Sequence, residues 1–247
     1  MTAMLELAGV TKSFGGVRAN EQVSLKVEQG AIVGLIGPNG SGKTTLFNAI
    51  AGAHPIDSGS IRFKGVEISR LLASDIARKG IIRSFQQPRI YQHMSVADNM
   101  LVSTAIRRSS FIGLFGRAPR DAAARGAELL EFVGLAAKRD TPAGDLSFGQ
   151  QKLLELAMAL VNDPELLLLD EPTAGINPVL IDSLIDRLKA ANQERGLTLL
   201  VIEHNMPVIM GLAGHIYCLA HGKLLAAGPP QTIKRDPKVL EAYLGAA

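Results

Sequence analysis

The chain has no tryptophan, and aromatic residues make up 4% of it. A platform of stacked aromatics, of the kind that grips single-stranded nucleic acid, is therefore not expected. Its one cysteine, Cys218, excludes an internal disulfide and points to a reducing compartment. Charge of one sign is missing too: 26 Lys and Arg stand against 23 Asp and Glu, a net of +3. That bias is too small to indicate a nucleic-acid partner, and none is expected. No apolar run reaches the roughly 18 residues of a membrane span. The opening Met1-Thr-Ala-Met-Leu-Glu-Leu7 lacks the basic-then-apolar order of a secretory signal.

What is present is an ordinary globular composition, 47% apolar and 20% charged over 247 residues. That is ample for a core and excludes disorder as the dominant state. Glycine is abundant, at 25 residues, so where the glycines fall is informative.

Residues 4–10 and 22–28 alternate apolar and polar, which predicts half-exposed strands. Ala31–Ile36, Leu166–Leu169 and Leu197–Ile202 are largely apolar stretches of strand length and suit strands buried on both faces. Further strands are predicted near Ile61–Phe63 and at Ile81–Phe85, and a hairpin at 216–228 before a short terminal helix. Helices are predicted from Lys43 to about Ala51, over 94–106 and 121–133, from 145–151 onward, and from Asn177-Pro178 to Gly196. This alternation predicts an α/β fold with a mostly parallel sheet. The expected division is a discontinuous core, 1–87 with 162–247, interrupted by a helical insertion at 88–161.

Gly37-Pro38-Asn39-Gly40-Ser41-Gly42-Lys43-Thr44-Thr45 fits the phosphate-binding P-loop pattern, with a buried strand before it and a helix after it. Gly37, Gly40 and Gly42 permit torsions that bring backbone amides close to an anion. The helix starting near Lys43 aims free N–H groups and its dipole at the same place. Lys43 would neutralise β- and γ-phosphates, and the Thr44 hydroxyl would be a Mg²⁺ ligand. The run Leu166-Leu-Leu-Leu-Asp170-Glu171 ends in two acids. In the P-loop template the first, Asp170, helps to hold Mg²⁺, and the second, Glu171, can face an attacking water. ATP and Mg²⁺ are the expected ligands.

P-loops serve kinases, GTPases, helicases and transport ATPases, so these motifs do not name the task. Leu146-Ser147-Phe148-Gly149-Gln150-Gln151 narrows it. Ser147 and Gln150 have capping-box spacing, and a helix N-terminus is also an anion site. With this motif the chain resembles the ATP-binding subunits of ABC transporters along essentially its whole length.

The resemblance implies a P-loop, RecA-like core with an antiparallel β subdomain and an inserted α-helical subdomain. It also implies a sandwich dimer with two ATP sites. Ser147 and Gly149 of one subunit, with Gln150 beside them, would clamp the γ-phosphate held by the P-loop of the other. Gln86 resembles the glutamine that contacts Mg²⁺ and the attacking water, although Gln87 beside it leaves the register open. His204 resembles the histidine that touches the γ-phosphate, and Phe14 the aromatic that stacks on adenine; a core Phe is the plain alternative. Two positions depart from the family pattern. Asn177 stands where many members have Asp, and it also suits a helix N-cap. Phe148 replaces the commonest Gly.

The resemblance is strongest to ATPase subunits of bacterial importers for branched-chain amino acids and related amides. It is carried by Ile36–Asn48, Arg83-Ser-Phe-Gln-Gln87, Ala174–Pro178, Ile202-Glu-His-Asn-Met206 and the ending Ala242-Tyr-Leu-Gly245. It implies a peripheral subunit on the cytoplasmic face of the membrane. Its partners would be two permease subunits, a second identical or related ATPase and, indirectly, a periplasmic solute-binding protein. A lipopolysaccharide-type exporter ATPase, a urea importer ATPase, or a soluble clamp without transport remain alternatives. The basic and apolar Arg107–Arg117 segment would lie near the membrane face or a partner, or form an ordinary helical excursion with a packed apolar side.

Overall fold

A computed structural model describes residues 3–84, 89–105 and 120–244. Gln86 and the Arg107–Arg117 segment lie outside the described residues. The chain divides into two compact units: 1–83 with 165–171 and 189–247, and 84–164 with 172–188.

The first unit holds the strands β1 (Ala3–Phe14), β2 (Val17–Glu28), β3 (Ile32–Ile36), β4 (Ser58–Phe63), β5 (Val66–Glu67), β6 (Ile81–Arg83), β7 (Leu166–Asp170), β8 (Thr198–Ile202), β9 (His215–Ala220) and β10 (Lys223–Gly228). Four of them form an antiparallel sheet in the order β2-β1-β4-β5. Val23, Leu25 and Val27 alternate into the core beside Leu5, Leu7, Ile61 and Phe63. β1 and β2 run well past the predicted 4–10 and 22–28, because the ladder continues through Phe14 paired with Val17 after the apolar alternation ends. Backbone pairing leaves no sequence pattern where neither face is buried.

The other six strands form a sheet in the order β10-β9-β3-β8-β7-β6. All neighbours are parallel except the β9–β10 hairpin. The runs Leu166–Leu169 and Leu199–Ile202 are buried throughout, as unbroken apolar strands require. β3, β8 and β7 are adjacent and point the same way. Their C-terminal ends therefore place the P-loop, Glu203-His204 and Asp170-Glu171 side by side, where parallel sheets bind ligands. The helix α1 (Lys43–Ile50) follows β3. The short α2 (Ala73–Arg78) was not legible, since six residues show little periodicity.

The second unit contains α3 (Val96–Ala105), α4 (Arg120–Phe132) and α5 (Phe148–Leu160), packed on one another. Met100, Leu129, Leu130, Leu153 and Leu154 are among its buried side chains. The helix α6 (Pro178–Arg195) belongs to this unit through Leu188. Residues 172–188 thus fall with the helices here, whereas the expected division put them with the core. Gly149 gives the reason. A side chain on it would meet Leu180 at 2.6 Å and Ile176 at 3.2 Å, so the start of α6 is packed against α5. Farther along, the Arg187 guanidinium lies over the Phe132 ring at 5.8 Å. The first unit ends with α7 (Met206–Leu212), α8 (Pro230–Ile233) and α9 (Pro237–Leu244).

Candidate nucleotide site

The P-loop joins β3 to α1 and is clamped from several elements. Gly37 has φ +147°, and a Cβ there would stand 2.1 Å from the Leu219 carbonyl oxygen of β9. Gly42 has φ +97°, and a Cβ would stand 2.2 Å from the Ala19 carbonyl oxygen of β2. Glycine is needed at both places for torsion and for space. The buried Asn20 donates its side-chain N–H to the Gly42 carbonyl at 3.1 Å. The Gly222 amide, in the β9–β10 turn, donates to the Ser41 carbonyl at 3.2 Å.

Lys43 is buried, and its ammonium donates to the Gly37 carbonyl at 2.8 Å and the Pro38 carbonyl at 3.0 Å. Burial lowers its pKa; Glu171, Cys218 and Asp170 act in the opposite direction. Pro38, Asn39, Gly40, Ser41, Thr44 and Thr45 complete the loop and the first turn of α1. Asn39 through Thr45, with Val17, Arg18, Ala19, Glu171, His204, His221 and Gly222, line a cleft of about 490 Å³.

Glu171 follows β7 with φ +50°, an uncommon conformation for a side-chain-bearing residue. Its amide donates to the Ile202 carbonyl at 2.9 Å, and its carboxylate oxygen lies 2.8 Å from His204 Nε2. The buried Glu203 orders the same corner. One of its carboxylate oxygens accepts from the His204 amide at 2.8 Å and the Asn205 amide at 3.0 Å. Asp170 is buried and accepts from the Arg83 guanidinium at 2.7 Å; Arg83 also donates to the Asn48 side chain. Sequence reasoning gave Arg83, Asn20 and Glu203 no role. A basic residue closing a strand, a polar residue inside a β-ladder and an acid beside a site histidine were the signals available.

Phe14 is about half exposed, at 49%. Its ring meets His54 edge-on at 5.3 Å, and Lys12 Nζ lies 5.3 Å from the ring centre. It is therefore not a core Phe.

In the helical unit, Ser147 and Gln150 form the expected capping box. The Ser147 amide donates to Gln150 Oε1 at 3.1 Å, and the Gln150 amide donates to Ser147 Oγ at 3.4 Å. The Asn177 side chain accepts from the Val179 amide at 3.0 Å, as a cap on α6 should. Gly149 is buried against α6, so it has a packing reason independent of any ligand.

A parallel sheet whose central strand enters a glycine loop and a lysine-bearing helix, with acids at the end of a nearby strand, is the architecture of a P-loop ATPase. A family model described as ABC transporter matches residues 20–174, and one described as branched-chain amino acid ATP-binding cassette transporter matches residues 223–247. The chain is 40% identical to BraF of Pseudomonas aeruginosa, a high-affinity branched-chain amino acid transport ATP-binding protein, over 99% of this chain and 98% of that one. Identity to the LivG protein of Escherichia coli K12, which bears the same description, is 38% over the same shares of the two chains. Among solved structures, the ADP conformation of MJ1267, an ATP-binding cassette of an ABC transporter, matches with a TM-score of 0.89 at 31% identity, covering 99% of this chain and 100% of that one. The chain belongs to the ABC transporter family, as an ATP-binding cassette with ATPase activity. No helix among the described residues is long and apolar enough to cross a membrane.

Proposed function

We propose that the chain is an ATPase subunit of an importer for branched-chain amino acids or related amides. It would sit peripherally on the cytoplasmic face of the membrane, beneath two permease subunits that receive solute from a periplasmic binding protein. The observation that carries this reading is full-length similarity to BraF and LivG, together with the match of the last 25 residues to the branched-chain amino acid cassette model.

The residues present suit MgATP. The P-loop offers amides and Lys43 to the phosphates, and the Thr44 hydroxyl and Asp170 carboxylate are the hard oxygen donors that Mg²⁺ takes. Gln86 would join them. Bound Mg²⁺ would offset negative charge on the phosphoryl oxygens. Lys43 holds the β- and γ-phosphates, and Phe14 offers adenine a ring already braced by His54. Glu171 takes a proton from the attacking water, while His204 steadies the γ-phosphate end. Ser147, Gly149 and Gln150 act on the nucleotide held by a second subunit, so two subunits close over two ATP molecules and separate after hydrolysis.

The test is reconstitution with candidate permeases in liposomes. Stimulation of ATPase activity by a binding protein loaded with leucine, isoleucine, valine or an amide supports the reading. A stable soluble complex lacking any permease, or stimulation confined to an export substrate, overturns it.

A further inference from the structure

The ending Ala242-Tyr-Leu-Gly245 carries a resemblance in the sequence and no chemistry. In the structure Tyr243 is given a specific task. It lies on α9, and its hydroxyl accepts a hydrogen bond from the Gly37 amide at 2.8 Å. Gly37 is the first residue of the phosphate-binding loop, at the far end of the chain from Tyr243. Its own carbonyl accepts from Lys43 Nζ at 2.8 Å. Gly37 is thus held on both sides, by a tyrosine through its N–H and by the site lysine through its oxygen.

The helix carrying Tyr243 is itself fixed. Val239 is buried, and the Lys238 amide donates to the Asp236 side chain at 2.8 Å at the helix start. Burial pushes the Tyr243 hydroxyl up to about 12, against an opposing pull from the Gly37 amide. The group therefore stays neutral at physiological pH, and it accepts a hydrogen bond without placing negative charge behind a phosphate site.

We propose that Tyr243 is a positioning residue for the nucleotide: from the C-terminal helix its hydroxyl orients Gly37, and through Gly37 it sets where Lys43 meets the phosphates. The inference rests on the reading that this loop binds ATP. It makes the C-terminal helix part of the ATP site without touching the nucleotide.

The test uses the full-length subunit in three variants, with MgATP affinity by calorimetry, steady-state kinetics and thermal unfolding. Tyr243→Phe removes only the hydroxyl. It should weaken MgATP binding and raise KM by roughly 3- to 10-fold, the range for one lost hydrogen bond, with kcat within about twofold of wild type. Val239→Ala loosens the same helix but keeps the hydroxyl, and it should lower the unfolding temperature with affinity near wild type. Equal affinity in Tyr243→Phe and wild type overturns the inference. So does an affinity loss in Val239→Ala as large as in Tyr243→Phe. Lys43→Ala separates the two layers. If it binds MgATP normally, the loop reading fails; if it loses binding while Tyr243→Phe does not, only the role of Tyr243 fails. Exchange of the Gly37 amide with solvent reads the same bond without nucleotide. Tyr243→Phe should accelerate it about tenfold or more, and unchanged exchange overturns the inference.

Discussion

His204 Nε2 lies 2.8 Å from a carboxylate oxygen of Glu171, although the two residues follow different strands. The sheet register produces this meeting. Asp170 pairs with Ile202 across β7 and β8, and the Glu171 amide then donates to the Ile202 carbonyl. Glu171 leaves its strand in the left-handed region, a conformation that costs on the order of 1–3 kcal/mol and persists where its surroundings determine it. Acid and histidine are therefore brought together by the pairing of β7 with β8 and by the strand exit at Glu171.

Under the proposed function, replacing Glu171 by Gln keeps the shape and removes the base. Steady-state phosphate release should fall by about 10²- to 10⁴-fold, the usual contribution of a positioned acid–base group. MgATP binding should stay near wild type, because Lys43 and the loop amides are untouched. Turnover close to normal would remove Glu171 from the reaction.

Arg83 and Asp170 are a nearly buried ion pair, with side chains 12% and 10% exposed. Removing one partner of such a pair leaves the other charged and without compensation, at a cost of about 3–5 kcal/mol. Arg83→Ala should show a loss of this size in urea unfolding. Adding Asp170→Asn should recover part of it, since the orphaned charge goes too. A single mutant as stable as wild type would mean that Asp170 finds other compensation.

His54 predicts a pH dependence. Burial lowers its pKa below the ordinary 6.5; Lys12 lowers it further, while Asp57 and the neighbouring backbone carbonyls raise it. The unfolded chain then binds a proton more readily than the folded one. Stability from the neutral imidazole is fully present above about pH 6.5 and is lost as pH falls through the folded value. Between about pH 7.5 and pH 5, wild type should lose more stability than His54→Gln, by chemical denaturation at each pH. Parallel pH profiles would dismiss His54 as the titrating group.

The parts of the site legible in sequence are those where the chemistry sits directly on a local pattern. β3 runs into its glycine loop, β7 ends in Asp170-Glu171, and Ser147 and Gln150 cap α5 with capping-box spacing. What was not legible depends on partners brought together by the fold. Arg83 reads as a strand-end basic residue until β6 pairs with β7 and sets it beside Asp170. Asn20 escapes the odd-numbered alternation of Val23, Leu25 and Val27. The β1–β2 register shifts between Val10 and Lys12, so an even-numbered polar residue is buried beneath Gly42. Tyr243 lies near the end of a short helix, and nothing in its own neighbourhood marks the Gly37 amide as the donor to its hydroxyl.

The capping box of α5 has a consequence under the proposed function, in which two subunits meet over ATP and part after hydrolysis. Ser147 Oγ and Gln150 Oε1 each already accept one of the backbone amides that begin the helix. Two of the backbone amides at this helix end are thus satisfied by the helix's own side chains. A phosphate arriving from across a dimer would exchange one set of acceptor oxygens for another instead of filling an empty socket. Association and release would then exchange one set of hydrogen bonds for another, which would suit the contact proposed to form and break in each turnover.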